Sequence, residues 1–106
     1  EREMVAAFAA RRKLVQDGLS KIPGVECREP EGAFYVFPRV DGWFGKTVAG
    51  VAIRTSDDFA RVCLEKAHVA LMPGSSFGLA GYIRISYAAS EETLREALTR
   101  LAKLFS

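Results

Sequence analysis

Residues 82 to 88, YIRISYA, alternate in character along the run, and that alternation commits the chain to a fold containing a sheet. Side chains on a strand point to its two faces in turn. Ile83, Ile85 and Tyr87 therefore share one face, and Tyr82, Arg84, Ser86 and Ala88 share the other. The apolar set must be packed against something, and helices are the available partners. The polar set is either solvated, with Arg84 an ordinary surface charge, or partly covered, with Arg84 given a task.

The remaining segments supply those helices. Met4, Val5, Phe8, Val15, Leu19 and Ile22 fall near one face of a helix over residues 3 to 21, and Arg11, Arg12, Lys13 and Asp17 lie largely off it. Pro23-Gly24 stops this helix. Residues 25 to 28 are expected to form a short strand, followed by a turn at Pro30-Glu31-Gly32. AFYVF, residues 33 to 37, is apolar on both faces and is expected to be a buried central strand closed by Pro38. Residues 40 to 55 read as irregular, anchored by Trp43 and Phe44. Ser56 with Asp57-Asp58 is expected to cap a second helix, which ends at His68. VALM, residues 69 to 72, is a further strand. Ser90 with Glu91-Glu92 caps a last helix, whose Leu94, Leu98, Leu101 and Phe105 form one stripe. On that helix Glu91 and Arg95, and Glu96 and Arg100, stand at the supportive four-residue spacing. The order suits an α+β two-layer sandwich, a sheet of three to four strands with helices packed on one face.

At 106 residues, 49% of them hydrophobic and 26% charged, the chain is one domain able to bury a core. Its net charge is only +2, from 15 basic and 13 acidic residues that are interspersed, so no nucleic-acid footprint is present. No apolar run approaches the ~20 residues that span a bilayer, and the chain's first residues lack the apolar h-region of a signal peptide. Cys27 and Cys63 lack metal or redox spacing and read as reduced thiols, so a cytoplasmic protein with no membrane partner is expected. The chain opens without methionine, in what reads as the middle of a helix, and is expected to be a piece of a larger protein.

Three short motifs suggest chemistry that their context denies. Gly45-Lys46-Thr47 resembles a phosphate loop, but the glycine required five residues before Gly45 is replaced by Val40. Gly74-Ser75-Ser76-Phe77-Gly78 matches the nucleophile elbow with Ser76 as nucleophile, yet a strand rather than a helix follows, and the only histidine precedes it. That histidine, His68, has no second ligand spaced to share a metal. A residue tolerant of left-handed geometry at the end of a helix explains it.

Arg84 is different. The neighbouring AFYVF run is apolar on both faces, so the second face of the sheet is expected to be covered. The glycine loop, with Gly78 and Gly81, lets backbone approach closely. A guanidinium held on a rigid strand beside a covered cleft suits two-pronged recognition of a carboxylate or phosphate.

Taken in order, IPGVECREPEGAFYVFP, LEKAHVALMPGSSFG and GYIRISYAASEETLREALTRL resemble the C-terminal small domain of class I (fold type I) pyridoxal-phosphate-dependent aminotransferases, in the aspartate/aromatic aminotransferase group. The resemblance covers nearly the whole chain. It implies that Arg84 grips the α-carboxylate of an amino-acid or 2-oxo-acid substrate, and that residues 73 to 81, with Ser76 and Phe77, border the substrate entrance. It also implies a domain that swings over the substrate and excludes water. The full enzyme would be a homodimer moving an amino group between an L-amino acid, aspartate-like, and a 2-oxo acid.

The departures bound this expectation. The family's cofactor-bearing lysine stands in an S-x-x-K context that occurs nowhere in the chain. The resemblance places that lysine, the ring-stacking aromatic and the phosphate-binding groups on a large domain, so no catalytic or cofactor-binding residue and no metal ligand is expected here. Where relatives usually carry glycine, this chain has His68, which alters a helix cap. Two alternatives stay open: a stand-alone carboxylate-binding or regulatory α+β module, and the small domain of a related pyridoxal-phosphate lyase.

Overall fold

The computed structural model describes residues 2–27 and 35–106, with the side chains of the first helix described from residue 7 onward. In chain order the elements are α1 (Arg2–Ser20), β1 (Tyr35–Val36), β2 (Lys46–Val48), β3 (Val51–Ile53), α2 (Ser56–Ala67), β4 (Met72–Pro73), β5 (Ile83–Ser86) and α3 (Glu91–Leu104). The expected contributions of Met4, Val5, Arg28 and the turn at 30–32 fall outside the described residues and side chains, as do residues 33 and 34 of the AFYVF run.

The alternating run becomes β5, the middle strand of an antiparallel sheet ordered β1-β5-β4. Its register is set by Tyr35 opposite Ser86 and Val36 opposite Ile85 on one side, and by Met72 opposite Arg84 and Pro73 opposite Ile83 on the other. Pairing beside β1 does not close at Pro38 as expected. The Pro38 carbonyl accepts the Ile83 N–H at 3.1 Å, and Arg39 bridges both Tyr82 and Glu26. Proline lacks a donor but keeps its carbonyl, so it is tolerated here because only its acceptor is needed. The strand expected over 25–28 reduces, among described residues, to the Glu26–Arg39 bridge, with hydrogen bonds of 3.0 and 2.7 Å.

One sheet face and the three helices enclose the core. Val36, Ile83 and Ile85 meet Val15 and Leu19 from α1, Phe59 and Val62 from α2, and Leu94, Leu98 and Leu101 from α3, all buried. Beneath α2 the Phe59 and Phe105 rings stack with centroids 4.7 Å apart, and Trp43 packs on Phe105 at 4.9 Å. The Trp43 indole N–H donates to the Pro23 carbonyl at 2.6 Å, fastening the end of α1 to the segment before β2. The expected anchoring role of Trp43 and Phe44 is met: both are partly buried against this core. The fold is the expected α+β arrangement of three helices with a small antiparallel sheet.

Local differences from the sequence reading have simple causes. Residues 40–55 are not irregular throughout. β2 and β3 form a hairpin with Val48 opposite Val51, turned by Ala49 at φ 50° and Gly50 at φ 81°. Two successive positive-φ residues make the mirror-image turn whose twist suits a two-residue hairpin, and alanine in the first position conceals it. The cap of α2 is Thr55, whose hydroxyl accepts the Asp58 N–H at 3.2 Å, while Ser56 is buried in the first turn. Of the strand expected over 69–72, only Met72 pairs, together with Pro73. α3 is capped by Ser90 as expected, and its two ion pairs form, Arg95 with Glu91 at 3.5 Å and Arg100 with Glu96.

Candidate functional site

Antiparallel register decides which side chains meet on the face of the sheet turned away from the core. Residues directly opposite share a face, so Tyr35, Ser86, Arg84 and Met72 all lie on it. Continuing the β1–β5 register by one pleat sets Phe37 opposite Arg84. The expected division of the strand is met: Ile83, Ile85 and Tyr87 are buried, and Arg84 is half-buried on the other side.

Aromatic rings surround the guanidinium. Its central carbon lies 4.3 Å from the Tyr35 ring centroid and 5.6 Å from that of Phe77. Phe77 is in turn met edge-on by Phe37, with centroids 5.7 Å apart and planes at 83°. The covering expected for this face thus comes in part from the chain's own aromatics. Among the described residues the Arg84 side chain has neither an ion pair nor a hydrogen bond. Arg39, by contrast, has its fork filled by Asp41, with Nε at 2.9 Å from Oδ1 and a second nitrogen at 3.1 Å from Oδ2.

Phe77 reaches Arg84 because of a compact 3-10 turn over Gly74–Phe77. Gly74 admits no side chain: a Cβ there would sit 2.0 Å from the Leu79 carbonyl oxygen and 2.4 Å from that of Tyr82. Gly78, at φ 80°, closes the turn. The close backbone approach expected of Gly78 and Gly81 therefore belongs to Gly74; a Cβ on Gly81 would instead meet Asp41. The Ser75 hydroxyl donates to the Asp57 carboxylate, tying the turn to the start of α2. Of the two expected entrance residues, Phe77 joins the Arg84 cluster. Ser76 is exposed on the turn and makes no hydrogen bond among the described residues.

Arg84 opens onto a shallow groove of about 260 Å³ lined by Tyr35, Ala70, Leu71, Met72, Arg84 and Ser86. A cationic fork at an otherwise neutral, largely apolar lip suits a small carboxylate. Among the described residues the groove presents no amine, imidazole or carboxylate, and Lys13, Lys21, Lys46, Lys66 and Lys103 are all exposed elsewhere. These residues therefore do not fit pyridoxal phosphate, whose aldehyde needs a lysine amine within reach. A larger depression of about 600 Å³ runs between α1 and α3, but charges of both signs line it, including the paired Glu91 and Arg95.

The other residues weighed from sequence have structural positions. His68 sits at φ 57°, ψ 38° beyond the end of α2, and its N–H donates to the Leu64 carbonyl at 3.1 Å. Among the described residues no cluster of three His, Cys, Asp or Glu side chains could hold a metal ion, and no helix is long and apolar enough to cross a membrane. Cys27 and Cys63 remain thiols. Burial pushes the Cys63 thiol up to about 12.

Sequence reasoning missed Tyr35, Ser75 and Asp57. Tyr35 was readable as a strand residue, but its place beside Arg84 depends on a register that no local pattern carries. The Ser75–Asp57 link joins residues 18 apart and leaves no local signal.

Comparison with known proteins bears on this geometry. The family model described as aminotransferase class I and II matches residues 1–101. An aspartate aminotransferase of Rhizobium meliloti (strain 1021) is 52% identical over 102 residues, covering 95% of this chain and 25% of that protein. An aspartate/prephenate aminotransferase of Cereibacter sphaeroides is 50% identical over 96 residues, covering 90% of this chain and 24% of that protein. The crystal structure of the aspartate aminotransferase from Rhizobium meliloti superposes with a TM-score of 0.93 at 50% identity, over 97% of this chain and 26% of that one. An aromatic aminotransferase from Pyrococcus horikoshii OT3 gives 0.81 at 40% identity, over 96% of this chain and 25% of that one. The chain thus spans about a quarter of the length of the curated relatives it matches. On the match over residues 1–101, the chain belongs to the class I and II aminotransferase family.

Proposed function

We propose that residues 1–106 are the small, closing domain of an aminotransferase that moves an amino group between an L-amino acid, aspartate-like, and a 2-oxo acid. Arg84 holds the substrate α-carboxylate. The observation that carries this reading is a half-buried guanidinium, unpaired among the described residues, at the lip of a groove sized for a small acid. Names of relatives near 50% identity, aspartate aminotransferases among them, favour transamination over lyase chemistry and over a stand-alone binding module.

In this reading pyridoxal phosphate and the lysine that carries it belong to the rest of the protein, which acts as a cytoplasmic homodimer. This chain contributes binding and orientation. Two parallel N–H···O bonds from Arg84 fix the plane of the carboxylate and so the direction of the substrate's Cα–H bond. Movement of the whole domain toward its large partner closes the groove, and the aromatic and aliphatic lip excludes water.

Arg84→Lys in the full-length enzyme tests the reading. Lysine keeps the charge but loses the fork. KM should rise and kcat fall, with kcat/KM losing the equivalent of roughly 3 kcal/mol. An unchanged kcat/KM would remove Arg84 from the substrate site.

A further inference from the structure

Arginine side chains are long and carry considerable rotamer freedom, so a carboxylate site built on one must also hold it still. Four other arginines of this chain show the usual solution, whereas Arg11 lies over the Phe8 ring at 5.3 Å. Arg39 is held by Asp41, Arg61 by Asp58, Arg95 by Glu91 and Arg100 by Glu96. Each of those partners occupies N–H groups that a ligand would need. Arg84 is held by rings instead, Tyr35 at 4.3 Å and Phe77 at 5.6 Å from its central carbon, with Phe37 bracing Phe77. A ring set over a guanidinium attracts it through the quadrupole of the π face and accepts none of its in-plane N–H bonds.

We infer that Tyr35 and Phe77 are positioning residues for Arg84: they hold the guanidinium by its faces and leave its edge free for a carboxylate. The inference rests on the reading of Arg84 as a carboxylate clamp. It extends that reading to the site's specificity for a planar anion. A face-held guanidinium can offer two parallel donors in one plane, which matches the two oxygens of a carboxylate. The Tyr35 hydroxyl is not required for this, since the π face does the holding.

The test uses the full-length enzyme and maleate, a non-reacting dicarboxylate, with dissociation constants measured by calorimetry. Tyr35→Leu and Phe77→Leu should each weaken maleate binding about five- to tenfold, the scale of a partly desolvated cation–π contact. Tyr35→Phe should stay within about twofold of the parent, because the ring is kept. In an Arg84→Gln background, Tyr35→Leu should change the affinity less than about twofold, since no cation remains to position.

If Arg84→Gln itself leaves maleate affinity unchanged, the carboxylate-clamp reading falls and the inference falls with it. If Arg84→Gln weakens binding but neither leucine variant does, the clamp stands and the inference is overturned. Equal losses from Tyr35→Leu in both backgrounds would mean that the ring acts only through the fold, which also overturns it. Should Tyr35→Leu fail to fold, Phe77→Leu carries the same cycle from a turn outside the core.

Discussion

The hydroxyl of Ser75 donates to the carboxylate of Asp57, joining the turn that carries Phe77 to the first turn of α2. The link is exposed, but it connects the framework of the domain to the cluster around Arg84.

Breaking that link should loosen the turn more than the domain. Asp57→Ala is expected to lower stability by about 1 kcal/mol, the net value of one hydrogen bond at an exposed site. Ser75→Ala should cost somewhat less, because it keeps the first-turn carboxylate of α2, and the double variant should cost no more than Asp57→Ala alone. Urea unfolding of the four proteins checks this; additive losses would show that the two residues act separately.

His68 occupies a left-handed conformation at φ 57°, which a Cβ disfavours and glycine accepts. His68→Gly should therefore stabilise the protein by about 0.5–1 kcal/mol, after allowing for the greater freedom of glycine in the unfolded chain. His68→Val should destabilise it by more than about 1 kcal/mol, because a branched Cβ is worst in that region. Thermal midpoints that rank valine above glycine would contradict this.

Asp58 should contribute to the acid limb of stability. The backbone N–H of Arg54 donates to its carboxylate at 3.0 Å and is the chief cause of a lowered pKa, to which Arg61 and Thr55 add. The folded-state pKa lies below the unfolded value of about 3.9, so the contribution is complete above that pH. It is lost as the pH falls through the folded value, where the native carboxylate also takes up a proton. Asp58→Asn should be less stable than the parent at neutral pH, with the gap narrowing below about pH 4. Urea midpoints measured from pH 7 to pH 2 test this, and a constant gap would exclude it.

The two thiols should differ in reactivity. Burial raises both, and Cys63, with no accessible surface, is pushed up to about 12. Alkylation with iodoacetamide at pH 8 should modify Cys27 slowly and leave Cys63 intact until denaturant is added, as read by peptide mass mapping. Stability should also fall as the pH rises from about 8.5 toward the folded value, because the unfolded thiol ionises first. Native modification of Cys63 at a rate equal to that of Cys27 would contradict the burial argument.

The residues divide cleanly by the range of the forces that place them. The leucine stripe of α3, its Ser90 cap and its two ion pairs were legible because helical neighbours lie three and four residues apart in sequence. The two faces of β5 were legible because alternation is a property of a single strand. The cap at Thr55 was missed by one position, since Ser56 has the same chemistry and only burial distinguishes them. The hairpin at 46–53 was missed because Ala49 is an unusual occupant of a positive-φ position, strained in isolation and held there by the pairing of β2 with β3.

The sequence by itself determined that the chain forms an α+β layer pair and that Arg84 points away from the core, through periodicities that span a few residues. Only the tertiary structure decided what meets Arg84 there. Tyr35 lies 49 positions earlier in the chain, and it comes within 4.3 Å of the guanidinium through the register of β1 on β5. That register is set by packing Val36, Ile83 and Ile85 into a core shared with all three helices. A slip of one residue would turn the rings inward and leave the arginine without its hold, so the site depends on a long-range fit that no local stretch of residues encodes.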